Sequence, residues 1–433
     1  MIAHKILAYM NILLLGSGGR EYMLAWKIRK STEVEKLYIS PGNGGTADLG
    51  TNIEIDWKNL PEITAFIKSN NIEMLVIGPE APLVDGLVDR LQSDPSLDSL
   101  LIIGPRQAAA RLEGSKAFAK DFMDRYGIPT AKYRSFDQSQ TNSAIAYIQS
   151  QPSPYVLKAD GLAAGKGVLI VTDQNEAIQE AKSILDGKFG EAGNTLVIES
   201  FLEGLEFSVF ALCAGREYVL LPVAKDYKRI GEGDSGLNTG GMGAVSPVPG
   251  ITEDIIEKVR GKVLEPTLKG LEIEGTPYSG FLFLGLILVN NEPFVIEYNC
   301  RLGDPETQVV LPRIQGDFVK LLKSSATQNM TASKIEMASE SAVCTILASK
   351  GYPVAYEKGK EIRFPEDPST VIFAHAGTKR ESGRLFTSGG RVLGSIGLHK
   401  DPKEAKLRSQ KGATQVQFEG KYFRSDIGFD LGI

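Results

Sequence analysis

The segment "LKADGLAAGKGVLI", Leu157 to Ile170, places a glycine-rich loop between two apolar runs. A P-loop would have four residues between its first glycine and a Gly-Lys-Ser/Thr triplet, and it would open a helix. Here three residues separate Gly161 from Gly165, and Gly167 stands where the hydroxyl residue should be. Both flanks are rich in residues that favour strands. The segment is therefore predicted to be a β-hairpin with a glycine-rich tip, and a nucleotide bound here would need a different device from the P-loop.

The composition is that of an ordinary globular protein, with 42% hydrophobic and 23% charged residues among 433. A chain of this length suggests roughly three domains. The net charge of -5 argues against a nucleic-acid partner, because phosphate backbones are held by broad basic surfaces. The three cysteines have no metal or disulfide spacing, which fits a reducing compartment, and the apolar run from Phe281 is too short to cross a bilayer. We expect a cytoplasmic monomer without a membrane or nucleic-acid partner.

Short apolar runs alternate with helical patterns from Asn11 onward, and glycine turns follow the runs. This repetition of strand, turn and helix predicts a doubly wound parallel sheet that binds ligands at the carboxyl ends of its strands. "GSGGRE" is half of a dinucleotide fingerprint, because Glu21 occupies the third glycine position, so a nicotinamide or flavin cofactor is disfavoured. The helix N-terminus at Gly18 and Gly19 would instead suit an anion such as a sugar phosphate. The residues before Asn11 are interpreted as an extension rather than a secretory signal, and Met10 is an alternative start.

The segment "VIEYNCRLGDPETQ" puts polar residues on one face of an apolar strand. Glu297 and Asn299 are two residues apart and therefore project from the same face. Their oxygens suit Mg²⁺, a hard cation that is normally shared with substrate phosphates. Arg301 continues this face and could hold a carboxylate or a phosphate through two hydrogen bonds.

Three lysines could neutralise a triphosphate, although each is an ordinary lysine when taken alone. Lys158 ends a strand beside the glycine-rich tip, Lys166 lies within the tip, and Lys116 belongs to a helical segment. In "VIESFLEGLEFSV", Glu199 ends a strand whose free backbone groups can pair with adenine, and the Glu206 carboxylate can accept hydrogen bonds from ribose. The alternative for this segment is a strand followed by a solvated turn.

Taken together, these segments resemble the ATP-grasp superfamily and, within it, the family of phosphoribosylamine–glycine ligases. The resemblance rests on "GSGGRE", "PGNGGTA", "GPEAPLVDG", "LEGSKAFAKDF", "KADGLAAGKGV", "NTGGMGAVSP", "EYNCRLGDPETQ", "HAGT", "GGRV" and the final "SDIG". It implies an α/β fold in three parts. These are a preATP-grasp domain with the doubly wound parallel sheet at 11–111, an ATP-grasp domain at 112–327 with a glycine-rich lid subdomain at about 131–199, and a small C-terminal α+β domain at 335–433.

The resemblance also implies an activity, the ATP-dependent ligation of glycine to 5-phosphoribosylamine in de novo purine biosynthesis. Glycyl phosphate would be the intermediate. The partners would be three small molecules, namely glycine, 5-phosphoribosylamine and ATP, and the metal would be Mg²⁺ with Mn²⁺ as an alternative.

The resemblance implies specific roles for individual residues. The ATP phosphates would be contacted by Lys116, Lys158, Gly165 and Lys166, adenine by Glu199 and Leu202, and ribose by Glu206. The metal ligands would be Glu297 and Asn299. The catalytic residues would be Arg301, Asp226 and Lys166, with Arg301 and Asp226 also near glycine. We further predict that phosphoribosylamine is bound by Gly18, Gly19, Asn43 and Glu80, the glycine turns taking its 5-phosphate and Glu80 its ribose hydroxyls.

Two positions depart from the family pattern, since Tyr22 and Tyr227 stand where the family usually has histidine. A tyrosine keeps a donor but loses the charged imidazole, so the change bears on substrate affinity or pH dependence. The strand at Phe281–Val289 has no acid metal ligand, so water and phosphate oxygens would complete the metal shell. Three rival functions stay open: another ATP-grasp enzyme that uses bicarbonate or formate, a dinucleotide-dependent oxidoreductase built on "GSGGRE", and a non-catalytic nucleotide-binding module.

Overall fold

The computed structural model describes residues 9–162, 167–330, 335–367 and 370–433. The N-terminal part is a parallel sheet with helices around it. Its strands are β1 (Met10–Gly16), β2 (Val34–Pro41), β3 (Thr51–Asn52), β4 (Ile72–Ile77) and β5 (Leu101–Ile103). Its helices are α1 (Gly19–Ile28), α2 (Leu60–Ser69), α3 (Glu80–Val84), α4 (Leu87–Gln92) and α5 (Gln107–Gly114).

The strand order β3-β2-β1-β4-β5, parallel throughout, confirms the predicted doubly wound sheet. Leu13 and Leu14 point to opposite faces of β1 and are both fully buried, because helices cover both sides of the sheet. The order reverses between β1 and β4, and sheets of this kind bind ligands at the carboxyl ends of the strands at that reversal. The turn at Gly18 follows β1 and Glu80 follows β4, so both stand at this edge.

The second part begins with α6 (Lys116–Arg125) and continues into an antiparallel sheet with two helices. Its elements are β6 (Tyr133–Asp137), α7 (Thr141–Ser150), β7 (Tyr155–Ala159), β8 (Val168–Val171), α8 (Gln174–Ser183) and β9 (Thr195–Ser200). The sheet order is β6-β9-β7-β8. The two strands of the predicted hairpin are confirmed, because Lys158 pairs with Val168 in an antiparallel ladder. Residues 163–166 of its tip lie outside the described residues.

A second antiparallel sheet, β11-β10-β16-β17, forms the other half of this part. Its strands are β10 (Leu205–Ala214), β11 (Glu217–Leu220), β16 (Ser279–Val289) and β17 (Glu292–Asn299). Between β11 and β16 the chain forms β12 (Lys225–Asp226), β13 (Arg229–Gly231), β14 (Ser235–Asn238), β15 (Gly243–Ser246), α9 (Glu253–Val259) and α10 (Glu265–Ile273). Two helices, α11 (Thr307–Val310) and α12 (Phe318–Ala326), follow β17.

The C-terminal part is mainly β, with one long helix. It comprises β18 (Ser341–Ser349), β19 (Glu361–Ile362), β20 (Val371–His375), β21 (Thr378–Glu381), β22 (Arg384–Thr387), β23 (Arg391–His399), α13 (Pro402–Gln415) and β24 (Lys421–Tyr422). Its main sheet has the order β12-β15-β18-β23-β20, so two strands from the middle of the chain extend it. The short strand β12, which carries Asp226, is therefore part of the C-terminal sheet. None of the described helices has both the length and the apolar character that crossing a bilayer requires.

Candidate active site

A cavity of about 190 Å³ lies where the carboxyl end of β17 meets α5, α6 and the sheet of β6 to β9. Charged and polar side chains line much of it, and most of those that the sequence predicted for ATP and the metal are among them. The predicted residues in this lining are Glu80, Lys116, Lys158, Glu199, Glu297, Asn299 and Arg301. The structure thus brings together residues that are far apart in the sequence.

A β-bulge shapes the end of β17 that carries the predicted metal ligands. The pairing of β16 with β17 shifts after Gly285, which faces Glu297, and Ile296 is left without a partner in the ladder. A Cβ atom on Gly285 would lie 3.0 Å from the side chain of Glu297, so the glycine leaves room for this carboxylate. Glu297 and Asn299 both line the cavity, as their spacing predicts. Bulges recur beside active sites because they redirect a side chain in this way.

The charges around Glu297 keep its carboxyl ionised. Burial raises its pKa, but the cations of Lys228, Lys158, Lys116 and Arg301 outweigh burial and hold the pKa below its usual value. An ionised carboxylate beside an amide oxygen fits Mg²⁺, which takes few protein ligands and keeps water or phosphate oxygens for the rest. Among the described residues, no group of three or more His, Cys, Asp or Glu side chains could hold a metal ion. The residues present therefore fit a metal that is shared with substrate phosphates.

The predicted phosphate-binding lysines differ in how they are held. Lys158 is buried and its Nζ lies 2.8 Å from Glu199 Oε1, while it also donates to the carbonyl of Ile296 at 3.1 Å. A further lysine that sequence reasoning missed, Lys120, lies 2.9 Å from Glu199 Oε2. Lys116 donates to the Gly161 carbonyl at 3.1 Å. Lys120 follows Lys116 by one helical turn, and this spacing was the available signal for it.

Arg301 lies between two carboxylates. Its NH2 atom is 2.8 Å from Glu113 Oε1, and its Nε is 3.3 Å from Glu80 Oε2. Glu113, which the sequence analysis missed, is buried and also accepts a hydrogen bond of 2.7 Å from the N–H of Cys300. Glu80 is partly exposed, and although burial raises its pKa, Arg301 and Arg20 lower it overall. The arginine is therefore held between Glu113 and Glu80, and all three residues line the cavity.

Asp226 and Glu306 are two interacting carboxyl groups. Burial raises the pKa of Asp226, with Lys228 opposing and Glu206 adding to the effect. Burial, together with the charge of Asp226, raises the pKa of Glu306 to about 8. A raised carboxyl pKa suits a group that exchanges a proton with a substrate. Lys228 also lies 3.5 Å from the exposed Glu206, the predicted ribose ligand.

Some predicted residues stand apart from the cavity lining or from the described chain. Leu202 lies between β9 and β10 and is half-buried, and neither it nor Glu206 nor Asp226 is among the residues that line the cavity. Gly165 and Lys166 lie outside the described residues. Their assigned roles in ATP binding and catalysis remain predictions.

The glycine turn after β1 already holds an anion from the chain itself. The N–H of Gly18 donates to Glu21 Oε2 at 2.6 Å, and a Cβ on Gly18 would lie 3.2 Å from a carboxylate oxygen of Asp304. At Gly19 a side chain would collide with Gln308. The Gly18 amide thus has a partner within the chain, and binding of the sugar phosphate at Gly18 and Gly19 remains a prediction.

The side chain of Asn43 forms hydrogen bonds within the protein. Its Nδ2 donates to the carbonyls of Ser17 and His375, each at 2.9 Å, and its Oδ1 accepts from the N–H groups of Gly45 and Thr46 at 2.9 and 3.1 Å. These bonds join the N-terminal turn to the C-terminal part of the chain. Contact of Asn43 with a substrate remains a prediction, and its observed role is to shape the turn.

The two tyrosines that replace the family's histidines have structural partners. Tyr22 packs on His375 with ring centroids 5.3 Å apart, and burial, followed by the charge of Asp48, raises its pKa to about 12. The hydroxyl of the buried Tyr227 donates to Asp430 at 2.6 Å. Arg424 lies over the Tyr227 ring at 5.5 Å. Both tyrosines therefore join other parts of the chain to its C-terminal part.

Comparison with known proteins agrees with this geometry. Sequence profiles of phosphoribosylglycinamide synthetase match the N domain at residues 10–113, the ATP-grasp (A) domain at 114–307 and the C domain at 342–430. A curated phosphoribosylamine–glycine ligase of Agrobacterium fabrum is 43% identical over 97% of this chain and 98% of its own length. The chain belongs to the phosphoribosylamine–glycine ligase family. It is a member of the ATP-grasp ligases, as the sequence resemblance predicted.

Solved structures show the same relationship. A crystal structure of phosphoribosylamine–glycine ligase from Thermotoga maritima has a TM-score of 0.84 and 37% identity, and the match covers 96% of this chain and 100% of that one. The biotin carboxylase domain of 2-oxoglutarate carboxylase from Hydrogenobacter thermophilus, solved with MgADP and bicarbonate, has a TM-score of 0.71 over 96% of this chain and 92% of its own. Its 15% identity shows a shared fold alone.

Proposed function

We propose that this chain joins glycine to 5-phosphoribosylamine and cleaves ATP to ADP and phosphate, giving N1-(5-phosphoribosyl)glycinamide. One observation carries the proposal. A single cavity combines the Glu297 and Asn299 oxygens, the ammonium groups of Lys116 and Lys158, and the anchored guanidinium of Arg301. This is what the reaction needs from a protein, because phosphoryl transfer is catalysed by positioning and charge neutralisation. Family membership over nearly the whole chain supports the identity of the substrates.

In the first step, a carboxylate oxygen of glycine attacks the γ-phosphorus of ATP, the bond to the bridging oxygen breaks, and ADP leaves. The product is glycyl phosphate. Lys116 and Lys158 offset charge on the phosphate oxygens, and Arg301 lines the same cavity. Glu297 and Asn299 would hold Mg²⁺, which when bound neutralises phosphate charge.

In the second step, the amine of phosphoribosylamine attacks the carbonyl carbon of glycyl phosphate, and phosphate leaves with the bonding electrons. The nitrogen loses one proton as the amide forms. Asp226 is the proposed acceptor of this proton, supported by the raised pKa values of Asp226 and Glu306. No nucleophile from the protein is required.

The second substrate would approach from the N-terminal sheet, where Glu80 can accept hydrogen bonds from the ribose hydroxyls. The turn at Gly18 and Gly19 is the proposed site of its 5-phosphate, and the Gly18 N–H there now donates to Glu21. The proposal further includes that the protein is a cytoplasmic monomer and that it accepts Mn²⁺ in place of Mg²⁺. Size-exclusion chromatography with light scattering tests the monomer directly.

The proposal is tested by measuring ADP release against a panel of acids and amines. Release is expected with glycine and phosphoribosylamine together, and the amide product should form in equal amount. Stimulation by bicarbonate or formate instead would assign the chain to another ATP-grasp reaction. ATP binding without turnover under every condition would identify a binding module, and bound NAD in the purified protein would support an oxidoreductase.

A further inference from the structure

Three charged side chains are buried together beside the cavity. Glu199 lies between Lys120 and Lys158, at 2.9 and 2.8 Å, and each of the three side chains is at most 5% exposed. Lys120 comes from α6, Lys158 from β7 and Glu199 from β9. The cluster therefore joins the helix at the edge of the cavity to the sheet that carries the glycine-rich hairpin.

The cluster contains more positive than negative charge. Two ammonium groups share one carboxylate, so one positive charge remains uncompensated within it. This charge extends to the metal-ligand strand, because Lys158 donates to the carbonyl of Ile296 at 3.1 Å and lowers the pKa of Glu297. A buried charge is costly unless it has a partner, and a triphosphate is an anion that could supply one.

Lys120 is held rigidly, away from solvent. Its Nζ donates to Thr130 Oγ1 at 2.7 Å, and the Thr130 hydroxyl in turn donates to the carbonyl of Val295 at 2.7 Å. Ile296 is the unpaired residue of the bulge in β17, and Val295 precedes it. Lys120 and Lys158 are thus fixed through neighbouring carbonyls of the same strand. This arrangement holds Lys120 where it shares the Glu199 carboxylate with Lys158.

We propose that Lys120 is a positioning residue for ATP binding, which shares the charge of Glu199 and so leaves the ammonium of Lys158 available to the triphosphate. Without Lys120, Glu199 and Lys158 form a closed pair with no net charge. The proposal rests on the ATP site of the proposed function. Lys120 itself does not need to touch ATP.

A double-mutant cycle tests the proposal through ATP binding, measured by calorimetry with Mg²⁺ and without turnover. K120M should raise the Kd for ATP about tenfold or more, and K120R should stay within about threefold of the parent, since it keeps the charge; tenfold corresponds to about 1.4 kcal/mol. In the E199Q background there is no carboxylate at position 199 to pair with the Lys158 ammonium group. Adding K120M to E199Q should therefore change the Kd by less than about threefold, a range of under 1 kcal/mol.

A matched control is K27M, which removes another buried helix lysine that donates to a carbonyl outside the cavity. It should leave ATP affinity unchanged. Equal effects of K27M and K120M, or the same loss from K120M with and without Glu199, would overturn the proposal, because a merely structural role predicts both. If K120M alone does not fold, the comparison of E199Q with K120M/E199Q still decides. A chain that gives the expected cycle but does not ligate glycine would refute the proposed function and leave this inference in place.

Discussion

Replacing Glu113 by glutamine removes the buried anchor of Arg301 while keeping the size of the side chain. The Glu113 side chain is 5% exposed, and its two oxygens bind the Arg301 guanidinium and the N–H of Cys300. Removing one partner of a buried ion pair costs about 3–5 kcal/mol, because the other charge stays buried without compensation. Arg301 keeps its contact with Glu80, so we expect the lower end, about 3 kcal/mol of unfolding free energy. Replacing Glu80, whose side chain is 33% exposed, should cost about 0–1 kcal/mol.

The two variants should also differ in their kinetics, and here Glu80→Gln should have the larger effect on the KM for phosphoribosylamine. Glu80→Gln should raise the KM for this substrate far more than the KM for ATP, because Glu80 belongs to the N-terminal part and its proposed role is to bind the sugar. Glu113→Gln should lower kcat by about 10–100-fold through misplacement of Arg301. Urea unfolding measures the first comparison and steady-state kinetics the second. A Glu113→Gln variant as stable as the parent within about 1 kcal/mol, or less damaged in stability than Glu80→Gln, would refute the anchoring argument.

Three further substitutions test other parts of the account. Glu297→Ala should abolish metal-dependent turnover with an unchanged melting temperature, and activity within about threefold of the parent, a barrier change under 1 kcal/mol, would remove Glu297 from the metal site. Burial lowers the pKa of His375 to about 4, so the folded chain favours the neutral imidazole and loses stability as the pH falls from 6.5 towards 4. His375→Gln should therefore reduce the loss of unfolding free energy between pH 7 and pH 5 by about 2 kcal/mol, and an unchanged pH dependence would contradict this. Tyr227→Phe should destabilise the chain by about 1.5–3 kcal/mol in urea unfolding through loss of its bond to Asp430, and no loss would mean that the bond is not maintained in solution.

The strands with a regular pattern of apolar residues could be predicted from the sequence. The apolar runs of the first sheet and the flanks of the glycine-rich hairpin became strands, because patterns of alternate or continuous apolar residues report directly on burial. The shared face of Glu297 and Asn299 follows from the period of two in a strand. The small edge strand Thr51–Asn52 was missed, since two residues carry no periodic signal.

The charge network of the site could not be predicted in the same way. Glu113 and Lys120 look like ordinary helix residues, and their partners are distant in the sequence: Arg301 lies just beyond the end of β17, and Glu199 lies in β9. The pairing of Lys225–Asp226 with a strand of the C-terminal sheet also depends on tertiary structure alone. The hydrogen bond from Gly18 to the chain's own Glu21 was also not predicted, because a helix N-terminus does not specify which carboxylate or phosphate it binds.

The central claim, ligation through glycyl phosphate, is tested most directly by following the carboxylate oxygens of glycine. Glycine labelled with ¹⁸O in its carboxylate is supplied with ATP and phosphoribosylamine, and the phosphate released is analysed by mass spectrometry. One labelled oxygen should appear in each phosphate formed with product, since the oxygen that attacks the γ-phosphorus leaves with it. Phosphate without label, formed in equal amount with the amide product, would contradict the account.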